Sequence, residues 1–156
     1  MSVYKKILEY SRTLERGTPH KYGDKLAFKT IDLHTGGEPL RVIMNGFLEP
    51  KGNSVLEYRH FYRKSCDPFR KLLMFEPRGH ADMYGCLLTP PNDTSGDFGV
   101  VFLHNEGYST MCGHAIIALA TLAYEMGWVE NGILLQDNEG QFWLMDPATG
   151  VLKMED

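Results

Sequence analysis

The chain has 156 residues, of which 43% are hydrophobic and 23% are charged, with a formal net charge of −4 at pH 7. This composition predicts one folded domain and excludes an intrinsically disordered chain. An acidic chain with scattered Lys and Arg argues against a nucleic-acid partner. The sequence contains no run of about 18 apolar residues, so no membrane span is expected. The first 25 residues lack the apolar stretch of a secretory signal. A cytoplasmic protein is therefore expected.

Three cysteines are present: Cys66, Cys86 and Cys112. Their odd number and their spacing fit no zinc-binding pattern, so no metal site is expected. They indicate a reduced, intracellular chain in which a free thiol can react. Cys66 and Cys86 are interpreted as buried, apolar core residues.

The N-terminal residues 3–15 have the apolar spacing of an amphipathic helix, and a turn-rich segment, Gly17–Asp24, follows. Residues 1–25 are interpreted as an appendage and residues 26–156 as the α/β domain. Short strands flanked by turn-forming residues are expected next: Leu26–Leu33, Arg41–Phe47, Leu72–Phe75, Cys86–Thr89 and Gly99–His104. A helix is expected at Ser54–Lys64, between the second and third strands, and Pro68 should end it.

The segment Met111–Met126 predicts the most regular helix of the chain, because it is apolar around nearly its whole circumference and must be buried on most sides. Ser109 or Thr110 is expected to cap its start, and Gly127 follows its last turn. Two strands, Ile133–Gln136 and Phe142–Met145, come after it. Strands around one buried helix predict an α+β fold with a curved, barrel-like mixed sheet around a central helix.

Cys112 is expected in the first turn of that helix, beside backbone N–H groups that no helical carbonyl satisfies. The positive end of the helix dipole should lower the pKa of its thiol, and the same N–H groups can hold a carboxylate. His114, two residues later, could bond to either group. The alternative is that Cys112 and Gly113 only pack at the helix start, and position alone does not decide between the two.

Two further segments combine glycines with polar side chains: Asp32–Pro39 and Phe75–Gly85. The glycines permit a close approach of the backbone. Each segment is either a functional loop or a solvated hairpin, and taken alone the solvated hairpin is favoured.

Four motifs lie along the chain in a fixed order: His34-Thr-Gly-Gly-Glu-Pro39, Glu76-Pro-Arg-Gly-His80 with Met83-Tyr-Gly85, His104-Asn-Glu-Gly107 and Met111-Cys-Gly-His114. In these motifs the sequence resembles the proline racemase family, which includes 4-hydroxyproline epimerases and trans-3-hydroxy-L-proline dehydratases. The resemblance runs from about Ile31 to Val129, and more weakly to Val151.

The resemblance implies a diaminopimelate epimerase-like fold of two similar domains with the active site between them, a proline-like amino acid as substrate, and neither cofactor nor metal. It also implies that Cys112 is the catalytic base and that Gly113 and His114 hold the substrate carboxylate. The family's second domain carries the other catalytic residue, a Cys in racemases and a Thr in dehydratases. That domain has no counterpart in the sequence, so its absence is expected.

Three functions follow from the resemblance. A trans-3-hydroxy-L-proline dehydratase needs only one base at the α-carbon, and the residues of the first and second motifs resemble this branch of the family most. A proline or 4-hydroxyproline racemase or epimerase needs a second thiol, whose position neither Cys66 nor Cys86 matches. The third possibility is a truncated, inactive chain, whose exposed half-cleft would favour association with another chain, a homodimer included.

Overall fold

A computed structural model describes residues 1–16, 27–129, 133–136, 142–146 and 151–155. The elements of this described part are α1 (Val3–Arg16), β1 (Lys29–Thr35), β2 (Glu38–Asn45), α2 (Val55–Ser65), α3 (Asp67–Met74), β3 (Tyr84–Thr89), β4 (Phe98–His104), β5 (Gly107–Ser109), α4 (Gly113–Glu125), β6 (Ile133–Gln136), β7 (Phe142–Asp146) and β8 (Val151–Glu155). The predicted turn segment Gly17–Asp24 lies outside the described residues. None of the helices described is long and apolar enough to cross a bilayer.

The strands form one mixed sheet in the order β1-β2-β3-β4-β6-β7-β8, and β5 pairs with β4. Two neighbouring pairs are parallel, β2 with β3 and β4 with β6. Parallel neighbours need a crossover connection, which helices usually supply. Helices α2 and α3 lie in the first crossover and α4 lies in the second, while the other strand pairs are antiparallel.

Helix α4 is the centre of the larger core. Seven of its residues are buried, and it packs with Leu40, Val42, Cys86 and Phe102 on one face of the sheet. The helix contacts β1 and β2 near one end of the strand order and β6 and β7 nearer the other. The sheet must therefore curve around α4, which confirms the predicted α+β fold with a mixed sheet around a buried central helix.

Helices α2 and α3 cover the opposite face of the sheet. Because successive strand residues point to opposite faces, Ile43 and Leu87 lie in a second core with Tyr58, Tyr62 and Leu73. Both faces of the central strands are consequently buried. This explains why every residue of β4 before His104 is buried.

Helix α1 packs against the same core as α4. Ile7 is buried there, Lys6 Nζ donates to the Trp128 carbonyl at 3.0 Å, and Ser11 Oγ donates to the Met44 carbonyl at 2.6 Å. These contacts hold α1 against the domain that follows it. The boundary between an appendage and a domain at residue 26 stays a prediction.

The strand predicted at Leu72–Phe75 is wrong, because those residues form the end of α3 and the residue after it. Helix α2 ends at Ser65, and Pro68 lies in the first turn of α3. Proline is well suited to that position, where its missing N–H leaves no hydrogen bond unmade. A short apolar run does not distinguish a strand from a buried helix end.

Candidate active site

A tight hairpin between β1 and β2 brings the first motif to the start of α4. Gly36 and Gly37 form its turn with φ values of +59° and +97°, which suit a two-residue hairpin turn and favour glycine. Thr35 Oγ1 donates to the His114 carbonyl at 2.9 Å. The turn-forming segment is exposed, as expected of a solvated hairpin, yet the Thr35 hydroxyl contacts α4.

Cys112 is the N-cap residue of α4, with φ −148° and ψ 105°, and the helix begins at Gly113. The expectation that Ser109 or Thr110 caps the helix is therefore wrong. Ser109 Oγ instead donates to the Met111 carbonyl at 2.8 Å, within the turn that leads from β5 to the helix. Cys112 thus lies just before the first helical turn, and its side chain is 7% exposed.

His114 contacts the Cys112 thiol with its ring. The Cys112 Sγ atom lies 3.3 Å from His114 Nδ1 and 3.6 Å from Nε2, and His114 Nε2 lies 3.2 Å from the Pro39 carbonyl oxygen. A carbonyl oxygen can only accept, so the neutral ring carries its proton on Nε2. His114 Nδ1 is then the ring nitrogen without a proton, and the sulfur lies beside the ring at similar distances from both nitrogens, with Nδ1 the nearer.

The expected lowering of the Cys112 pKa is wrong for this structure. Burial raises the pKa of the Cys112 thiol to about 11, and the charge of Glu38 raises it further, while the backbone N–H groups of Ala115 and His114 lower it. The free energy needed to bury a thiolate away from water is larger than the stabilisation that the N–H groups at the helix start provide. The resting side chain is therefore a neutral thiol at neutral pH.

Open space lies beside Gly113. A methyl group built on its backbone would have no atom within 4 Å, although the neighbouring Ala115 is fully buried. The first N–H groups of a helix have no intrahelical partner and attract anions. The start of α4 can therefore receive a carboxylate next to the Cys112 sulfur.

Two aromatic side chains that the motif analysis quoted without assigning a role lie behind His114. The Tyr84 ring meets the His114 ring edge to face, with centroids 5.1 Å apart and an interplanar angle of 77°. The His104 ring stacks on Tyr84 at 5.4 Å and 28°. Their only signal in the sequence was membership of the second and third motifs.

Other residues of the second and third motifs, together with Arg41, contact the C-terminal end of α3 or the loop that follows it. Asn105 Nδ2 donates to the carbonyls of Met74 and His80 at 2.9 and 2.7 Å. Arg41 Nη1 donates to the Leu73 carbonyl at 2.9 Å, and Arg78 Nε donates to the Leu72 carbonyl at 3.0 Å. The last carbonyls of a helix lack intrahelical partners, so these side chains satisfy them and fix the loop that leads into β3.

The sequence model of the family described as proline racemase matches residues 30–155. The chain belongs to the proline racemase family. Among curated relatives, the trans-L-3-hydroxyproline dehydratase of Xenopus tropicalis is 52% identical over 111 residues, which are 71% of this chain and 31% of that protein. The trans-3-hydroxy-L-proline dehydratase of Bacillus thuringiensis subsp. konkukian is 53% identical over 123 residues, 79% of this chain and 35% of that protein.

Solved structures of the proline racemase family share the fold. A hydroxyproline epimerase from Agrobacterium vitis with bound trans-4-hydroxy-L-proline has a TM-score of 0.68 at 23% identity, over 79% of this chain and 38% of that one. A probable proline racemase from Agrobacterium radiobacter K84 with bound carbonate also has a TM-score of 0.68, at 25% identity, over 77% and 38%. The chain spans about a third of the length of the curated relatives it matches.

Proposed function

We propose that this chain provides the catalytic base, Cys112, of a trans-3-hydroxy-L-proline dehydratase. The Cys112 thiolate removes the α-proton of the substrate and becomes a thiol. The electron pair of the broken C–H bond forms a double bond between the α-carbon and the neighbouring ring carbon, and the bond from that carbon to the 3-hydroxyl oxygen breaks. The leaving hydroxide takes the proton back from the Cys112 thiol and departs as water, and the cyclic enamine then moves its N–H proton to carbon and becomes the cyclic imine. The atoms balance without an oxidant or a cofactor. The relatives of about 50% identity that carry this name support the substrate and the reaction.

The contact between Cys112 Sγ and His114 Nδ1 is the observation that carries the proposal. A thiol of raised pKa is a poor base until it loses its proton. His114 Nδ1 carries no proton, because Nε2 is bonded to the Pro39 carbonyl, and it lies 3.3 Å from the sulfur. The proton can therefore move within the pair and leave a thiolate without passing through solvent.

In this proposal Gly113 and His114 form the carboxylate site at the start of α4, and the Gly113 backbone N–H donates to the carboxylate, since the His114 N–H already faces the Cys112 sulfur. Both ring nitrogens of His114 already have partners within the protein, so the imidazole is not needed as an anchor. The open space at Gly113 leaves room for the carboxylate. The α-carbon of an amino acid bound there would lie within reach of the neighbouring sulfur.

A racemase that uses two thiols is the second candidate, and the other cysteines of the chain do not support it. Cys86 and Cys66 are both fully buried. Cys86 packs beneath α4 in the core that contains Cys112, whereas Cys66 lies in the core on the opposite face of the sheet. Neither sulfur can reach the far side of a substrate held at Cys112.

Activity of the isolated chain is not expected. Proton removal from a weak carbon acid needs the substrate held on both sides and water excluded, and loss of positioning alone can cost several powers of ten in rate. The chain supplies one base and one anion site. A homodimer that rebuilds the cleft and a cytoplasmic location stay predictions.

The proposal is tested by incubating trans-3-hydroxy-L-proline with the chain alone and with the chain joined to a C-terminal half from a relative. The cyclic imine product is reduced to proline and quantified. We expect proline from the joined protein and none from the chain alone, no turnover from Cys112→Ser, and retained turnover from Cys86→Ala, which also removes a buried thiol. Equal turnover by Cys112→Ser and the parent would reject the assignment.

A further inference from the structure

Three aromatic rings form a column that ends at the Cys112 thiol. His104 stacks on Tyr84, Tyr84 meets His114 edge to face, and His114 Nδ1 contacts the sulfur. Tyr84 and His104 face each other as the first antiparallel pair of strands β3 and β4. The column therefore connects the end of the sheet to the start of α4 through Tyr84 and His104, two side chains that the proposed chemistry does not use.

Two hydrogen bonds hold His104 in place, one to its ring and one to its carbonyl oxygen. Its Nδ1 atom accepts from the Glu106 backbone N–H at 3.1 Å, which leaves the proton of the neutral ring on Nε2. Its carbonyl accepts from Arg70 Nη1 at 2.8 Å, and Arg70 is itself buried and paired with Asp67. His104 is therefore a rigid surface against which the Tyr84 ring stacks.

His114 needs a second restraint. Its bond from Nε2 to the Pro39 carbonyl fixes one ring atom, but a single hydrogen bond leaves the ring free to turn about that atom. The Tyr84 ring, packed edge to face against the imidazole, adds a contact that restricts the plane of the ring. The orientation of the His114 ring, and hence the contact of Nδ1 with Cys112 Sγ, therefore depends on the position of the Tyr84 ring.

We propose that His104 is a positioning residue: by stacking on Tyr84 it fixes the plane of the His114 ring and so maintains the contact between His114 Nδ1 and Cys112 Sγ. The inference rests on the proposed function, in which that contact produces the thiolate. It assigns to the first residue of the third motif a role in the site that it does not touch. A histidine or another flat ring satisfies this role, and an aliphatic side chain does not.

The test uses the 156-residue chain and no substrate, so its failure is distinguishable from failure of the dehydratase proposal. The rate at which iodoacetamide alkylates Cys112 is measured by mass mapping at pH 8. We expect His104→Ala to slow Cys112 alkylation by roughly three- to tenfold, the range set by the energy of one aromatic contact. His104→Phe keeps a flat ring and should restore the rate to within about twofold of the parent.

A double-mutant cycle tests whether His104 acts through Tyr84. Tyr84→Leu removes the ring while keeping an apolar side chain, and in that background His104→Ala should have no further effect, because the link is already broken. An equal effect of His104→Ala in both backgrounds would contradict the inference. The comparison of His104→Ala with His104→Phe decides the matter if Tyr84→Leu does not fold.

His80→Ala is the matched control. His80 Nδ1 also accepts from the backbone N–H two residues later, at 3.2 Å, and the His80 carbonyl is also bonded by a side chain, yet His80 is exposed and outside the column. We expect its Cys112 alkylation rate to equal that of the parent. Cys86, fully buried, reports loosening of the fold. An unchanged rate in His104→Ala, or a changed rate accompanied by alkylation of Cys86, would overturn the positioning role.

Discussion

Replacing His114 by Gln should change how the reactivity of Cys112 depends on pH. The Gln amide can still donate to the Pro39 carbonyl, but it cannot take up the thiol proton. With His114 present, the proton moves from sulfur to Nδ1 at 3.3 Å and stays within the pair. Thiolate formed in this way adds a contribution to the alkylation rate that does not depend on pH.

The size of the effect follows from the burial of the thiol. Burial raises the Cys112 pKa to about 11, so loss of the proton to solvent alone ionises only about one thiol in a thousand at pH 8. Alkylation of His114→Gln should therefore rise roughly 100-fold between pH 7.5 and 9.5, tenfold per unit. The parent should rise less steeply than the variant, because proton transfer within the pair adds thiolate in an amount that does not depend on pH.

The assay is iodoacetamide labelling followed by mass mapping of Cys112. The titratable groups around the pair are Glu38 on β2, with Tyr84 and Cys86 on β3, and they are the same in parent and variant. His34→Gln is the control, since His34 is an exposed histidine of the hairpin whose Nδ1 accepts from the Gly37 N–H. Superimposable profiles for the parent and His114→Gln would refute proton transfer within the pair.

Three other predictions concern the same region. The thiol pKa is raised from 9.0 to about 11, so burial of the neutral Cys112 thiol stabilises the fold fully below pH 9, and this stabilisation is lost as pH rises through 11. In urea unfolding, the free energy of unfolding of the parent should fall by about 2 kcal/mol more than that of Cys112→Ser between pH 8 and 11. Asn105→Ala should lower the free energy of unfolding by about 1–3 kcal/mol, because the Met74 and His80 carbonyls lose their donor. Replacement of the exposed Asn53 by Ala should change the free energy of unfolding by less than about 0.5 kcal/mol. Equal effects of the two substitutions would contradict the capping role of Asn105. Gly113→Ala should leave the fold unchanged, because its methyl group enters open space, but in calorimetry of the joined protein it should weaken binding of a proline analogue by about tenfold or more, about 1.4 kcal/mol; unchanged affinity would place the carboxylate elsewhere.

The elements with a long periodic pattern were predictable from the sequence. The apolar circumference of the segment that became α4 specified a buried helix, and the buried helix with strands on both sides specified the fold class. Helix α3 was missed because four apolar residues, Leu72 to Phe75, fit a strand as well as a helix end. What decides the matter is packing: Leu73 and Met74 are buried against the sheet, and the last carbonyls of α3 meet Arg41 and Asn105, which are distant in sequence.

For the candidate site, the sequence offered residues but not their chemical state, and the roles of those residues stay a prediction. The motifs identified Cys112, Gly113 and His114, and the structure brings them to one place with the hairpin that carries Pro39. The state of the thiol was not predictable from position, since the pKa depends on how deeply tertiary packing buries the sulfur. The ring column of Tyr84 and His104 was equally hidden, because pairing between β3 and β4 creates it.

The most direct test of the central claim follows the α-proton itself. Trans-3-hydroxy-L-proline carrying deuterium at the α-carbon is incubated with the joined protein, and release of deuterium to water is measured alongside product formation. If Cys112 removes that proton, the parent should show a primary isotope effect on turnover and Cys112→Ser should release no deuterium. Deuterium release by Cys112→Ser at the parent rate would mean that another group is the base.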